Sequence, residues 1–164
     1  MAIVGDLEFP NIQMAGIWKL VEACIIPIIT YASETWEPNK TEMKKLNQCL
    51  EKIIKRILMT PQATPREALY IETGLLDIET IIDKKRLNMK ARLNREKSEL
   101  MAEVLNYPGC KWVKKTNETM AKYSISEEDL MLPYDEAKRV ISEKTREVFY
   151  EKIIKKNLQR ANQK

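Results

Sequence analysis

Apolar positions recur at intervals of three and four along almost the whole chain, the spacing that places them on one side of an α-helix. The first band covers residues 11–35 and holds Ile12, Ile17, Leu20, Val21, Cys24, Ile25 and Ile28. Pro27 lies inside it; without a backbone N–H it should kink or break the helix near Ile26. The β-rich Ile28-Ile29-Thr30-Tyr31 that follows suits a short extended piece. The pattern is cleanest over 41–59, where Met43, Leu46, Leu50, Ile53 and Ile57 form one stripe. Lys44, Lys45, Lys52, Lys55 and Arg56 occupy the opposite side. Asn39-x-x-Glu42 gives this helix a capping-box start, and Pro61 stops it.

Further start and stop signals divide the remainder. Thr64-Pro65-Arg66-Glu67 combines a threonine cap, a proline at the first helical position and a glutamate three residues after the cap. The short helix it opens ends at Gly74, which can adopt the left-handed conformation of a C-terminal cap. Asp77 caps a longer helix over 78–95, with Ile78, Ile81, Ile82, Met89 and Leu93 apolar and Lys84, Lys85, Arg86, Lys90 and Arg92 charged. Helices over 99–106 and 111–122 are separated by the turn signature Tyr107-Pro108-Gly109. Trp112, Val113, Thr116 and Met120 mark one side of the second. Ser126-x-x-Asp129 caps a short helical turn before Pro133, and 135–160 forms a long basic helix with Ala137, Val140, Ile141, Val148 and Phe149 inward. The expected fold is all-α, with six to eight helices and a core centred on 11–35, 41–59 and 78–95. Density of apolar residues falls near 95–98, the natural place for a boundary.

Composition narrows the chemistry. The 164 residues are 44% apolar, enough for one domain of ordinary size. Four glycines are too few for a phosphate-cradling glycine loop, and the chain has no histidine. Triads with a histidine base and zinc sites with a histidine ligand are thereby excluded. Cys24, Cys49 and Cys110 form no CxxC and cannot complete a four-cysteine zinc site; each reads as a small buried hydrophobe in a reducing compartment. The longest apolar run, Ala23–Ile29, is far short of the ~20 residues a membrane span needs. The start lacks the basic segment of a signal peptide. An intracellular protein, nuclear or cytoplasmic, that requires no cofactor or metal is the expectation.

The net charge of +4 is unevenly spread. Residues 39–59 hold six basic and two acidic groups, 78–97 seven and three, and 137–164 nine and three, whereas 123–136 has five acids and no base. Basic blocks coinciding with helices are candidate phosphate-binding stripes. Glu127-Glu128-Asp129 follows an N-cap, where negative charge complements the helix dipole, so it reads as capping rather than catalysis. Tyr31 and Trp36 read as half-buried side chains packed over the helix that begins near Thr41, and Trp112 as core; base stacking is the alternative for each.

The ordered set Ile25-x-Pro27-x-x-x-Tyr31-Ala32-x-Glu34-x-Trp36 resembles the segment following the palm in non-LTR (LINE-type) retrotransposon reverse transcriptases. There the pattern commonly runs Val-x-Pro-x-x-x-Tyr-Gly-x-Glu-x-Trp, so Ala32 stands where glycine is frequent. The resemblance continues through Leu46–Leu58, Thr60-Pro61-Gln62-Ala63-Thr64-Pro65, Leu69–Leu76 and Lys85–Leu93, which look like that family's thumb. Residues 98–164 resemble, less specifically, the linker that follows. The resemblance implies an irregular thumb-like multi-helix bundle with a helical linker extension: an N-terminal segment 1–16, a thumb-like domain 17–97 and the extension 98–164. It further implies a non-catalytic fragment that grips an RNA or RNA–DNA template–primer duplex by phosphate contacts, with fingers and palm as its partner. The family's Tyr-x-Asp-Asp is absent, since the chain has no Asp-Asp pair, so no polymerase or other enzymatic activity is expected of it alone. The expected duplex contacts are Lys44, Lys45, Lys52, Lys55, Arg56, Lys84, Lys85, Arg86, Lys90 and Arg92, on two helices whose basic sides would stay exposed. A helical protein-interaction or dimerisation module, a domesticated retroelement remnant, is the reading from a different class.

Overall fold

A computed structural model describes residues 14–96 and 109–161, together with 99, 103 and 107. Among the described residues every regular element is a helix. The chain opens with α1 (Met14–Leu20), passes through a π-helical turn (Val21–Ile25) and continues as α2 (Ile26–Ile29). Pro27 therefore widens the helix instead of breaking it, and Ile28-Ile29 are helical rather than extended. The physical reason lies in the wide turn. The Ile26 N–H bonds five residues back to the Val21 carbonyl, and the proline falls in the first turn of α2, where a missing N–H costs little. The buried side chains show the change of phase: Trp18, Val21, Ile26 and Thr30 face inward, with a step of five across the π turn.

Residues 30–35 then turn the chain. Ala32 has φ 50°, in the left-handed region that non-glycine residues enter only with strain. The indole of Trp36 donates back to the Tyr31 carbonyl at 3.0 Å. It stays 36% exposed, and Tyr31 is 81% exposed. Tyr31 is thus not the half-buried side chain expected, and Trp36 is held by a hydrogen bond that closes the turn on itself.

Helix α3 (Lys40–Ile57) starts at Asn39 with both halves of the capping box in place. Leu50 and Ile54 are fully buried, while Met43, Leu46 and Ile57 are packed against the core from its edge. Helix α4 (Arg66–Thr73) is capped at Pro65, one residue later than the threonine start suggests, and ends at left-handed Gly74 with φ 69°. Asp77 accepts from the Thr80 N–H to open α5 (Ile78–Leu93). After residues of which few are described come α6 (Lys111–Lys122), α7 (Glu127–Met131) with its Ser126/Asp129 capping box, and α8 (Tyr134–Ala161). The helix expected over 99–106, the turn around Pro108 and residues 1–13 lie largely outside the described residues.

Two hydrophobic clusters form the core. One gathers Trp18, Val21, Ile26, Leu50, Ile54, Leu69, Tyr70 and Leu75 with Ile78 and Ile82 of α5 and Phe149 and Ile153 of α8. The other holds Leu87 and Ala91 of α5 with Met120, Tyr123, Ile125, Leu130, and Ala137 and Ile141 of α8. Helices α5 and α8 thus run through both clusters, and the C-terminal segment completes the N-terminal core. Phe149 meets Tyr70 edge-on, ring centroids 5.6 Å apart, the geometry aromatic pairs prefer. Cys24 and Cys49 are exposed and Cys110 half-buried, so the expectation of three buried thiols fails. Each exposed thiol falls on a helix side turned away from the core, Cys49 about 100° around α3 from Leu50. No described helix is long and apolar enough to cross a membrane.

Candidate nucleic-acid interface and a polar cleft

The two basic helices of the sequence reading have different fates. On α3, the buried positions Asn47, Leu50 and Ile54 fix which side faces the core. Lys45, Lys52 and Arg56 then lie together on the opposite side, exposed, over about 16 Å of helix at 1.5 Å per residue. None of the three has an ion pair or side-chain hydrogen bond among the described residues, and no carboxylate lies in that stripe. Glu42 is held by the cap, donor Asn39 N–H at 2.8 Å, and Glu51 faces the other flank, paired with Arg66 at 3.6 Å. Lys55 is half-buried and donates to the Gln62 carbonyl. Lys44 is exposed but turned toward the cleft described below.

The exposed basic side expected on α5 does not exist. Lys84 donates to Ser142 Oγ at 2.8 Å and Lys85 to the Thr30 carbonyl at 2.7 Å. Arg86 is 3% exposed, bonds the Trp36 carbonyl at 3.3 Å and pairs with Asp83 at 3.7 Å. Lys90, also buried, reaches Glu127 and Asn117. Only Arg92 remains exposed. The cause is the position of α5 at the centre of the bundle, with α3, α6, α7 and α8 all packed on it. Consecutive residues on a helix point about 100° apart, so Lys84, Lys85 and Arg86 cannot share a side. That geometry was the available signal. Burial pushes the Lys84 ammonium below its ordinary value, and Arg146 nearby pushes the same way.

Between α3, α5, α6 and the C-terminal half of α8 lies a polar cleft of about 1080 Å³. Its carboxylates are each tied to a cation. Asp83, for instance, accepts from Lys122 at 2.8 Å and from the Tyr123 hydroxyl at 2.9 Å. Burial opposes charge on Lys122, but Asp83 and Glu79 outweigh it and raise its pKa. Burial would raise Glu79, yet the hydrogen bond and charge of Lys122 hold it below the ordinary value. Burial also raises Glu51, only partly offset by Arg66. Sequence reasoning missed this cleft because its walls come from five separate helices, Arg66 of α4 included; the basic C-terminal block was the sole hint.

The acidic run is structural, as read from the sequence: Asp129 closes the α7 capping box and binds Lys144 at 2.7 Å, while Glu127 holds Lys90. Trp112 is half-buried with its indole N–H on the Glu34 carbonyl at 2.7 Å. Among the described residues no group of three or more Cys, Asp or Glu side chains is placed to hold a metal ion. Compared with protein-family models, curated proteins and solved structures, the chain matches none.

Proposed function

We propose that this chain is a non-catalytic nucleic-acid-binding module of the kind supplied by the thumb and linker of a non-LTR retrotransposon reverse transcriptase. It grips an RNA or RNA–DNA duplex through phosphates and leaves synthesis to fingers and palm. The observation that carries the reading is the α3 stripe: three exposed, unpaired cations, Lys45, Lys52 and Arg56, on a helix side free of carboxylates. Ala32 adds support, since the position where the resembled pattern has glycine takes a left-handed φ. Phosphate contacts position a duplex without reading its sequence, so binding is weak and indifferent to sequence. With α5 withdrawn from the surface, about three to four contacts remain, and log affinity falls against log salt with a slope of about −2.7 to −3.6 at roughly 0.9 per contact. Fluorescence anisotropy with a labelled RNA–DNA duplex at two salt concentrations measures this. Replacing Lys45, Lys52 and Arg56 by Gln should flatten the slope while leaving the unfolding midpoint in place. Absence of salt-sensitive binding, or a slope indifferent to that variant, overturns the reading.

An interaction module has its own observation. Leu20, Cys24, Ile28 and Tyr31 form an exposed apolar ridge along α1, the π turn and α2, with Ile28 77% exposed. Single exposed apolar side chains are ordinary, but a continuous ridge marks a contact surface. Concentration-dependent sedimentation with no duplex binding would favour this second reading.

A further inference from the structure

The geometry points to a second site, independent of the α3 stripe: the polar cleft takes a small ligand bearing clustered phosphate groups. The lining carries eight cations, Lys40, Lys44, Arg66, Arg86, Lys115, Lys122, Lys152 and Lys156, against five carboxylates. Every carboxylate is spoken for: Glu37 and Glu118 by Lys115, Glu51 by Arg66, Glu79 by Lys122 and Lys152, Asp83 by Lys122 and Arg86. Five cations are engaged in those pairs. The remaining three, Lys40, Lys44 and Lys156, have neither an ion pair nor a side-chain hydrogen bond among the described residues.

Burial and shape add to the charge. The Arg86 guanidinium forms part of the lining at 3% exposure, and its Nε has no hydrogen-bond partner. That nitrogen is enclosed by protein, so the charge the cleft offers a ligand comes from the three uncommitted lysines. Three uncommitted ammonium groups within one concavity give a focused positive potential stronger than the same charges on a convex surface. Pro38, Met43 and Ile82 supply the apolar side chains of the lining, and charged residues outnumber them. Ligand pockets commonly run to about 300–1,000 Å³, so the cleft has room for a small polyanion. Lysine binds phosphate as a point charge with three donors.

Isothermal titration of the full chain with inorganic triphosphate tests the site, with citrate as a polyanion lacking phosphate. Saturable binding of one triphosphate per chain is expected, with citrate at least about tenfold weaker. Replacing Lys40, Lys44 and Lys156 together by Gln should weaken triphosphate by about 30-fold or more, at about three- to tenfold for each charged contact. The stripe variant K45Q/K52Q/R56Q should stay within about twofold of the parent, since its charges point away from the cleft. Stripe and cleft variants weakening binding alike would mean diffuse attraction and overturn the site, as would absence of saturable binding. Citrate equal to triphosphate would overturn the phosphate assignment. Because the stripe variant is expected to flatten the salt dependence of duplex binding without touching the cleft, either reading can fail while the other stands.

Discussion

Asp83 is where one substitution should do most damage, and the reason is the unequal exposure of its partners. Its carboxylate accepts from the Tyr123 hydroxyl at 2.9 Å and Lys122 at 2.8 Å, and is the counter-ion of Arg86 at 3.7 Å. Arg86 is 3% exposed, while the Lys122 side chain is 37% exposed and keeps Glu79 as a second partner. Asp83→Ala therefore strands a buried guanidinium whose other bond is to a backbone carbonyl and leaves the Tyr123 hydroxyl without its acceptor. Removing one member of a buried pair costs about 3–5 kcal/mol, a large share of the roughly 5–15 kcal/mol that holds a domain together. Lys122→Met should cost less, about 1–2 kcal/mol, because its ammonium is more than a third exposed and Asp83 keeps Arg86 and the Tyr123 hydroxyl. Tyr123→Phe falls between, at about 1.5–3 kcal/mol for a hydrogen bond to a charged acceptor. Urea unfolding followed by circular dichroism orders the three variants at constant m. A loss below about 1 kcal/mol for Asp83→Ala, well under the buried-pair range, would refute the account of Arg86 as a captive charge, and so would Lys122→Met proving the more harmful.

Three further outcomes are expected. Trp36→Ala should cost less than about 2 kcal/mol, below the 3–5 typical of a buried aromatic, because the indole is 36% exposed; a larger loss in the same urea titration would place it in the core. Ala32→Gly should stabilise by about 0.5–1 kcal/mol, the relief of a left-handed residue less the greater entropy of the unfolded glycine chain, and an unchanged midpoint would show the turn to be unstrained. Hydrogen bonds from Lys144 and the Ser126 cap hold Asp129 below its ordinary 3.8, so its stabilisation is complete above that value and drains away as pH falls through the lower folded pKa. Asp129→Asn should accordingly unfold with a shallower dependence on pH below about 4; parallel acid titrations of variant and parent would contradict this.

How much the sequence revealed depends on how local the cause is. Caps at Asn39, Asp77 and Ser126 were readable because donor and acceptor are two or three residues apart, and α3 because its charged and apolar positions separate cleanly. Pro27 was readable as a disturbance but not as a π turn, since the step of five is chosen by what Trp18 and Ile26 must both reach. The error over α5 has the same root. Lys84 finds Ser142, Lys85 finds Thr30 and Lys90 finds Glu127, partners far away in sequence that no local pattern can announce. Of the ten expected phosphate contacts, Lys45, Lys52 and Arg56 on the peripheral helix stay available, Lys44 turns to the cleft, Lys55 is bonded to Gln62, and those on the central helix are mostly absorbed into the bundle. The cleft was illegible for a further reason: its surplus charge is a difference between pairs that form only after five helices meet.

The way α8 threads both clusters has a consequence for the order of events on the ribosome. Phe149 and Ile153 close a core whose other members end at Ile82, about seventy residues earlier in synthesis. At about 5–20 residues per second, the helices made first wait several seconds for the one that seals them. Through that interval the nascent chain presents the flank of Tyr70 and Leu75 unsealed. The first-made helices thus stay unsealed until α8 has been synthesised.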